Sequence, residues 1–166
     1  YSYGDKLDLL LCLNQDTMDR HLRLMGPGTR TIFNSDNIEP GDAGEGAQLC
    51  PMPMTELTKM GRNPLVQNTV ALGAIIALLG LEFQELKNAL THRFQRAVQA
   101  VIYQNVDVAG IGYEYAAANF ERLPHEVPTG PKPLAVWSGN DALGMGGAAA
   151  GVKFYSAYPM SPATGV

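Results

Sequence analysis

The chain has 166 residues, 46% of them hydrophobic and 17% charged, with a formal net charge of −4 at pH 7. That balance is ordinary for a globular protein and argues against disordered, collagen-like and membrane-spanning classes. The charge is mildly acidic and dispersed, with no lysine- or arginine-rich run of the kind that neutralises phosphates along a duplex, so nucleic acid is not an expected partner.

Leu7 to Leu13 reads LDLLLCL, an almost continuous apolar run suited to a strand buried on both faces of a parallel sheet. Asn14 closes it. Met18, Leu22 and Met25 then recur at helical spacing, predicting a helix over Gln15 to Met25 that Gly26, Pro27 and Gly28 end. Thr29 to Phe33 alternates toward a second strand, completing a βαβ unit. Asn34 to Gly46 is polar and glycine-rich. Its acids, among them Asp36, Asp42 and Glu45, follow no calcium-loop interval, so a surface loop is expected. Pro51 and Pro53 make Gln48 to Met54 an extended edge segment leading to a short helix at Thr55 to Met60.

Pro64 opens the most apolar helix, Leu65 to Leu79, which is shorter than the roughly 20 residues that cross a bilayer. It is expected in a core or a subunit interface. Phe83, Leu86, Leu90, Phe94, Ala97 and Val101 step by threes and fours, predicting a second helix that packs on the first as a hairpin. A third helical stretch, Val98 to Asn119, is weaker because Gly110 and Gly112 interrupt it and Val106 and Val108 are β-branched.

Four prolines between Leu123 and Pro133 suit a stiff linker, and a domain boundary is placed there. Beyond it the sequence predicts a strand at Leu134 to Trp137, a turn and cap at Ser138, Gly139 and Asn140, a small-residue helix from Asp141 to Ala150, and a strand at Val152 to Tyr158. The chain starts at Tyr1 and stops just after an expected helix start, which reads as a piece cut through a domain at each end.

Chemistry-bearing residues are sparse. Cys12 and Cys50 belong to no Cys-x-x-Cys pair and lie near no histidine at zinc-like spacing, so this chain alone cannot hold an iron–sulfur cluster; both read as small hydrophobes. With no secretory signal, a reducing cytoplasm is the expected compartment. His21, His92 and His125 fall on separate segments with no nucleophile placed beside them. Gly144-x-Gly146-x-x-Ala149 invites a dinucleotide reading, but it begins six residues past the expected strand and lacks the trailing acid. Close helix packing is the simpler use. Ser161 followed by Pro162 is an ordinary helix start, and a helix start after a strand end also presents N–H groups and hydroxyls to an anion.

Two stretches resemble one family. NPLVQNTVALGAIIALLGLEFQELKNALTHRF, Asn63 to Phe94, looks like the helical C-terminal part of the gamma domain of 2-oxoacid:ferredoxin oxidoreductases. SGNDALGMGGAAAGVKFYSAYPMSPATGV, Ser138 to Val166, is similar to the opening of their alpha, or pyrimidine-binding, domain. Gamma ahead of alpha resembles the alpha subunit of the 2-oxoglutarate type. The resemblance implies an α/β fold: a partial gamma domain over residues 1–122 with a βαβ unit and helical hairpin, a linker at 123–133, and the first βαβ unit of the pyrimidine-binding domain at 134–166.

It also implies thiamine diphosphate chemistry that decarboxylates a 2-oxoacid, passes electrons to ferredoxin and forms an acyl-coenzyme A. Thiamine diphosphate, Mg2+ and the iron–sulfur clusters would sit mostly in a beta subunit, giving a soluble hetero-oligomer. By the same resemblance Ser161, Thr164, Tyr158 and Pro159 lie on the substrate side and Gly139 and Asn140 on the cofactor side, with no catalytic residue and no metal ligand in this chain. The family's commonest motif has threonine where Ser161 stands and serine where Ala163 stands, leaving Ser161 the hydroxyl at its position. The glycine-rich start of gamma, a downstream glutamate for the pyrimidine and an arginine for the substrate carboxylate are missing, so the piece alone is expected to be inactive. Competing readings are a nicotinamide-dependent dehydrogenase fragment and a non-catalytic domain that assembles through the apolar helix.

Overall fold

A computed structural model describes residues 6–42, 46–58, 64–124, 126–127, 130 and 135–158, with the backbone alone at 64–66. The chain divides into two compact units, Tyr1–Val127 and Pro128–Val166.

The first unit is built on three parallel strands in the order β1 (Leu9–Cys12), β2 (Arg30–Asn34), β3 (Gln48–Met52). All five residues of β2 are buried, as expected of a strand paired on both edges and covered on both faces. Leu10 pairs with Thr31, and Ile32 with Cys50. Alternation along the strands then sorts side chains to two cores. One holds Leu10, Cys12 and Phe33 with Met18 of α1 (Gln15–His21). The other holds Ile32, Cys50 and Met52 against α3 (Pro64–Leu78), which follows the short α2 (Met54–Thr58). Pro51 sits exposed on β3, an edge among the described strands, where its missing N–H costs least.

Asn14 caps α1, its side chain accepting from the Thr17 N–H at 2.8 Å. The helix ends at His21 rather than Met25. Leu22–Leu24 tightens into a 3-10 turn. Pro27 bars continuation, and the Leu24 carbonyl accepts from the Leu7 N–H at 3.3 Å ahead of β1. In the polar loop Ile38 is buried, and the Asp36 carboxylate accepts the Thr55 N–H at 2.7 Å. Asp36 thus fixes the start of the next segment. Thr55 is the second residue of α2, which runs Met54–Thr58; the remainder of the helix predicted to Met60 lies outside the described residues.

The helical part departs most from the sequence expectation. α4 (Phe83–Arg93) stops short of Val101, because Phe94 turns into the core beside Leu86 and Leu90 and Val98 is extended. α5 (Gln99–Asn119) is an unbroken 21-residue helix, so Gly110 and Gly112 do not interrupt it. The principal partner of α3 is α5, not α4. Gly73 and Gly112 explain why. A Cβ on Gly73 would run into the carbonyl of Ala109, and one on Gly112 into the carbonyl of Val70. The two glycines let the backbones meet, and burial of Val70, Ala71, Ala74 and Leu78 against Val108 and Ala116 outweighs the propensity cost of glycine and β-branched residues. α4 covers this pair, placing Leu86 and Leu90 on Ala109, while the Tyr113 hydroxyl donates to the Leu81 carbonyl at 3.2 Å.

After α5 the chain returns across the unit. The buried Arg30 guanidinium donates to the carbonyls of Glu121 and Arg122, both at 3.2 Å, and the Leu123 N–H donates to the Leu78 carbonyl at 2.8 Å. The accompanying Arg30–Glu121 ion pair, 3.6 Å with an exposed carboxylate, adds little. No helix among the described residues is long and apolar enough to cross a membrane.

In the second unit α6 spans Gly139–Ala149, two residues earlier than expected at its start. The segments expected as strands, of which 135–137 and 152–158 are described, have no ladder partner among the described residues. Val136 is 99% and Phe154 83% exposed, so the apolar pattern that suggested strands is unpaired and uncovered in this unit.

Three outcomes follow from this packing. Gly73→Ala forces the α3–α5 contact apart and should lower stability by about 1–3 kcal/mol in denaturant unfolding, as overpacking does; an unchanged midpoint contradicts the close contact. Arg30→Met strands two carbonyls and should cost about 2 kcal/mol, with faster amide exchange at 120–124; unchanged exchange there contradicts the anchoring role. Burial pushes the Cys12 thiol up to about 11 from an ordinary 9.0, and the Cys50 thiol likewise, there opposed by the charge of Arg30. Between those values the unfolded chain releases protons that the fold keeps, so stability should fall as pH rises above about 9. The Cys12→Ala/Cys50→Ala variant should lose less over that window than the parent, and an identical fall contradicts the assignment.

Candidate functional site

The predicted site residues fall in and beyond α6. Ser138 is the N-cap: its hydroxyl accepts from the Asp141 N–H at 3.2 Å, while the Asp141 carboxylate accepts the Ser138 N–H at 2.9 Å and the Ser138 hydroxyl at 2.6 Å. This is a reciprocal capping box, and those two donors hold the Asp141 carboxyl below its ordinary value. Gly139 and Asn140, expected as a turn, are the first two residues of the helix. Gly139 is exposed with open space where a side chain would project, and Asn140 is half-buried. Their backbone N–H groups belong to the four that the first turn leaves without an intrahelical partner.

Gly144 and Gly146 lie inside α6, not at a strand-to-helix turn. A dinucleotide fingerprint needs its glycines where the backbone meets the pyrophosphate at the helix start, so the nicotinamide reading loses its structural basis. Gly144 and Gly147 instead line a cleft of about 550 Å3 with Leu143, Ala148, Val152 and Phe154. Sequence reasoning missed this apolar face because Val152 to Tyr158 was assigned to a sheet. The capping box was legible as Ser-x-x-Asp at 138–141.

Tyr158 is 78% exposed at the end of the described segment. Pro159, Ser161 and Thr164 lie outside the described residues. Of the histidines, His21 is half-buried, His92 is exposed and His125 lies outside the described residues.

Cys12 and Cys50 do not fit an iron–sulfur cluster. They are fully buried in separate cores on opposite faces of the sheet, and burial keeps both thiols protonated where a ligand must be a thiolate. The described residues contain no grouping of three or more His, Cys, Asp or Glu arranged for a metal ion. Asp36 and Asp42 illustrate this: Asp36 is committed to the Thr55 N–H, and Asp42 is exposed.

Comparison with known proteins gives a consistent set of relatives. Over 154 residues the chain is 25% identical to "2-oxoacid:ferredoxin oxidoreductase 2, subunit alpha" of Aeropyrum pernix, covering 81% of this chain and 24% of that protein. It is 34% identical over 98 residues to the 2-oxoacid:ferredoxin oxidoreductase subunit alpha of Saccharolobus solfataricus, covering 59% of this chain and 15% of the other. Among solved structures, a 2-oxoglutarate:ferredoxin oxidoreductase from Magnetococcus marinus, bound to 2-oxoglutarate, coenzyme A and succinyl-CoA, matches 99% of this chain and 29% of its own with a TM-score of 0.84 and 32% identity. The gamma subunit of a keto/oxoacid ferredoxin oxidoreductase from Geobacter sulfurreducens matches 67% of this chain and 64% of its own, with a TM-score of 0.53 and 28% identity. The chain thus spans about a quarter or less of the length of the curated relatives it matches. Residues 1–115 match the model of the pyruvate ferredoxin/flavodoxin oxidoreductase family, and the chain belongs to that family.

Proposed function

We propose that this chain is part of the alpha subunit of a 2-oxoacid:ferredoxin oxidoreductase that oxidatively decarboxylates 2-oxoglutarate to an acyl-coenzyme A and carbon dioxide while reducing ferredoxin. The observation that carries the reading is the likeness, along 99% of the chain, to the Magnetococcus marinus enzyme bound to 2-oxoglutarate and coenzyme A. In this reading residues 1–122 are the C-terminal part of a gamma domain, 123–133 a proline-rich linker, and 134–166 the start of the pyrimidine-binding domain. The likeness of two thirds of the chain to a free-standing gamma subunit supports the first assignment.

Thiamine diphosphate, when bound with Mg2+, would supply the nucleophile and the electron sink that decarboxylation of a 2-oxoacid needs. This chain's part is positional. Ser161, with Thr164, Tyr158 and Pro159, faces the substrate, where the Ser161 hydroxyl donates to the carboxylate. Gly139 and Asn140 present N–H groups from the first turn of α6 on the cofactor side. In the same reading the iron–sulfur clusters belong to a beta subunit, and the working enzyme is a hetero-oligomer of the cytoplasm that passes electrons to ferredoxin.

Ser161→Ala, placed in the intact subunit and assembled with its partner, removes a hydrogen bond to a charged group worth about 1.5–3 kcal/mol. The expected outcome is a KM for 2-oxoglutarate raised roughly ten- to hundredfold, with coenzyme A dependence unchanged. Unchanged KM and kcat would reduce Ser161 to a helix cap.

A further inference from the structure

The two edges of the parallel sheet are built differently. At one edge the Arg30 N–H donates to the Asp8 carbonyl at 2.9 Å and Leu9 lies opposite Arg30, so Asp8, Leu10 and Cys12 turn their backbone groups toward β2. Successive residues of a strand alternate in direction, which points the N–H and C=O of Leu9 and Leu11 away from the sheet. At the other edge the Gln48 N–H donates to the Thr29 carbonyl at 2.9 Å and the Met52 carbonyl accepts from the Ser35 N–H at 3.0 Å, so Leu49 and Pro51 are the outward residues of β3. Pro51 has no N–H to offer, and proline at such a position closes an edge to further pairing.

β1 carries no such device. Leu9 to Leu13 contains neither a proline nor a charged residue. Among the described residues, the backbone groups of Leu9 and Leu11 have no hydrogen-bond partner. The side chains of the strand are nonetheless covered on both faces: Leu10 and Cys12 are buried in one core, and Leu9 and Leu11, half-buried, pack against the other. β1 therefore combines the side-chain surroundings of an interior strand with the backbone of an edge strand. A row of unpaired groups on an uncharged apolar strand is the arrangement to which an added strand binds.

We infer that a further strand, contributed by the part of the gamma domain that these 166 residues do not include, pairs with β1 through Leu9 and Leu11. This rests on the gamma-domain reading proposed above. The source of the strand follows from length: the chain matches 64% of the Geobacter sulfurreducens gamma subunit, leaving about a third of that subunit without a counterpart here. Its chemistry follows from β1, whose cover on both faces requires apolar side chains on both faces of the incoming strand. A second copy of this chain is the weaker occupant. Two outward residues on each copy make too short a ladder to offset the lost freedom of association, a cost that a strand on the same polypeptide does not carry.

The test is amide hydrogen exchange, followed residue by residue in the intact subunit and in the 166-residue chain. In the intact subunit Leu9 and Leu11 should exchange as slowly as Leu10 and Cys12, and roughly hundredfold or more slowly than in the 166-residue chain, while Leu49 at the proline edge changes little. Slow exchange at Thr31 and Phe33, inside the ladder, reports that the sheet is folded in each sample. Fast exchange at Leu9 and Leu11 in the intact subunit would overturn the inference. So would equal new protection at Leu49, which marks general shielding, or protection in the 166-residue chain that grows with its concentration, which marks a second copy. Exchange needs no turnover: an intact subunit inactive toward 2-oxoglutarate but slow at these two amides would keep the added strand and count against the proposed activity alone.

Discussion

The direct backbone contact between α3 and α5 is the constraint on which the first unit rests. Gly73 and Gly112 face the carbonyls of the opposing helix, so neither position has room for a methyl group. Everything around that contact is set by it. α3 closes one face of the sheet over Ile32, Cys50 and Met52, α5 backs α3, and α4 lays Leu86 and Leu90 on Ala109. The chain then returns to Arg30 through residues 121 and 122. Interiors packed to crystal density transmit a local displacement rather than absorb it, so separating the two helices would disturb the sheet, the covering helix and the returning segment together.

Much of this unit was legible in the sequence, and the reasons are specific. The run Leu7 to Leu13 and the alternation from Thr29 gave β1 and β2 because burial on both faces demands continuous apolar character. Pro51 marked β3 as an edge because proline cannot serve a central ladder. α5 was read as interrupted for the opposite reason. Gly110 and Gly112 were weighed by local propensity, which scores glycine as a helix breaker, whereas a tertiary contact made Gly112 indispensable. The continuation of α4 to Val101 failed because a three-and-four spacing cannot tell a helix from a turn that redirects Phe94 into the same core.

The second unit was less legible. Helix α6 is legible in the sequence, with its start two residues late because Gly139 and Asn140, expected in the turn, already belong to the helix that Ser138 caps. Apolar composition suggested strands at 134–137 and 152–158, but a strand exists only where a neighbour completes its hydrogen bonds, and composition carries no information on that neighbour. Gly139 and Asn140 are placed by the helix they begin, while Pro159, Ser161 and Thr164 rest on the family resemblance. The first unit holds buried, protonated thiols beneath a packed helical layer, and the described part of the second unit contains a single helix whose start is closed by the Ser138–Asp141 capping box.

The central claim is that these two units serve thiamine-dependent oxidation of a 2-oxoacid. The direct measurement is 2-oxoglutarate-driven reduction of ferredoxin by the intact subunit assembled with its partner, with thiamine diphosphate and coenzyme A each withheld in turn. The account predicts that reduction stops without either one and that carbon dioxide and acyl-coenzyme A form together. Reduction of a nicotinamide cofactor without thiamine diphosphate would contradict it.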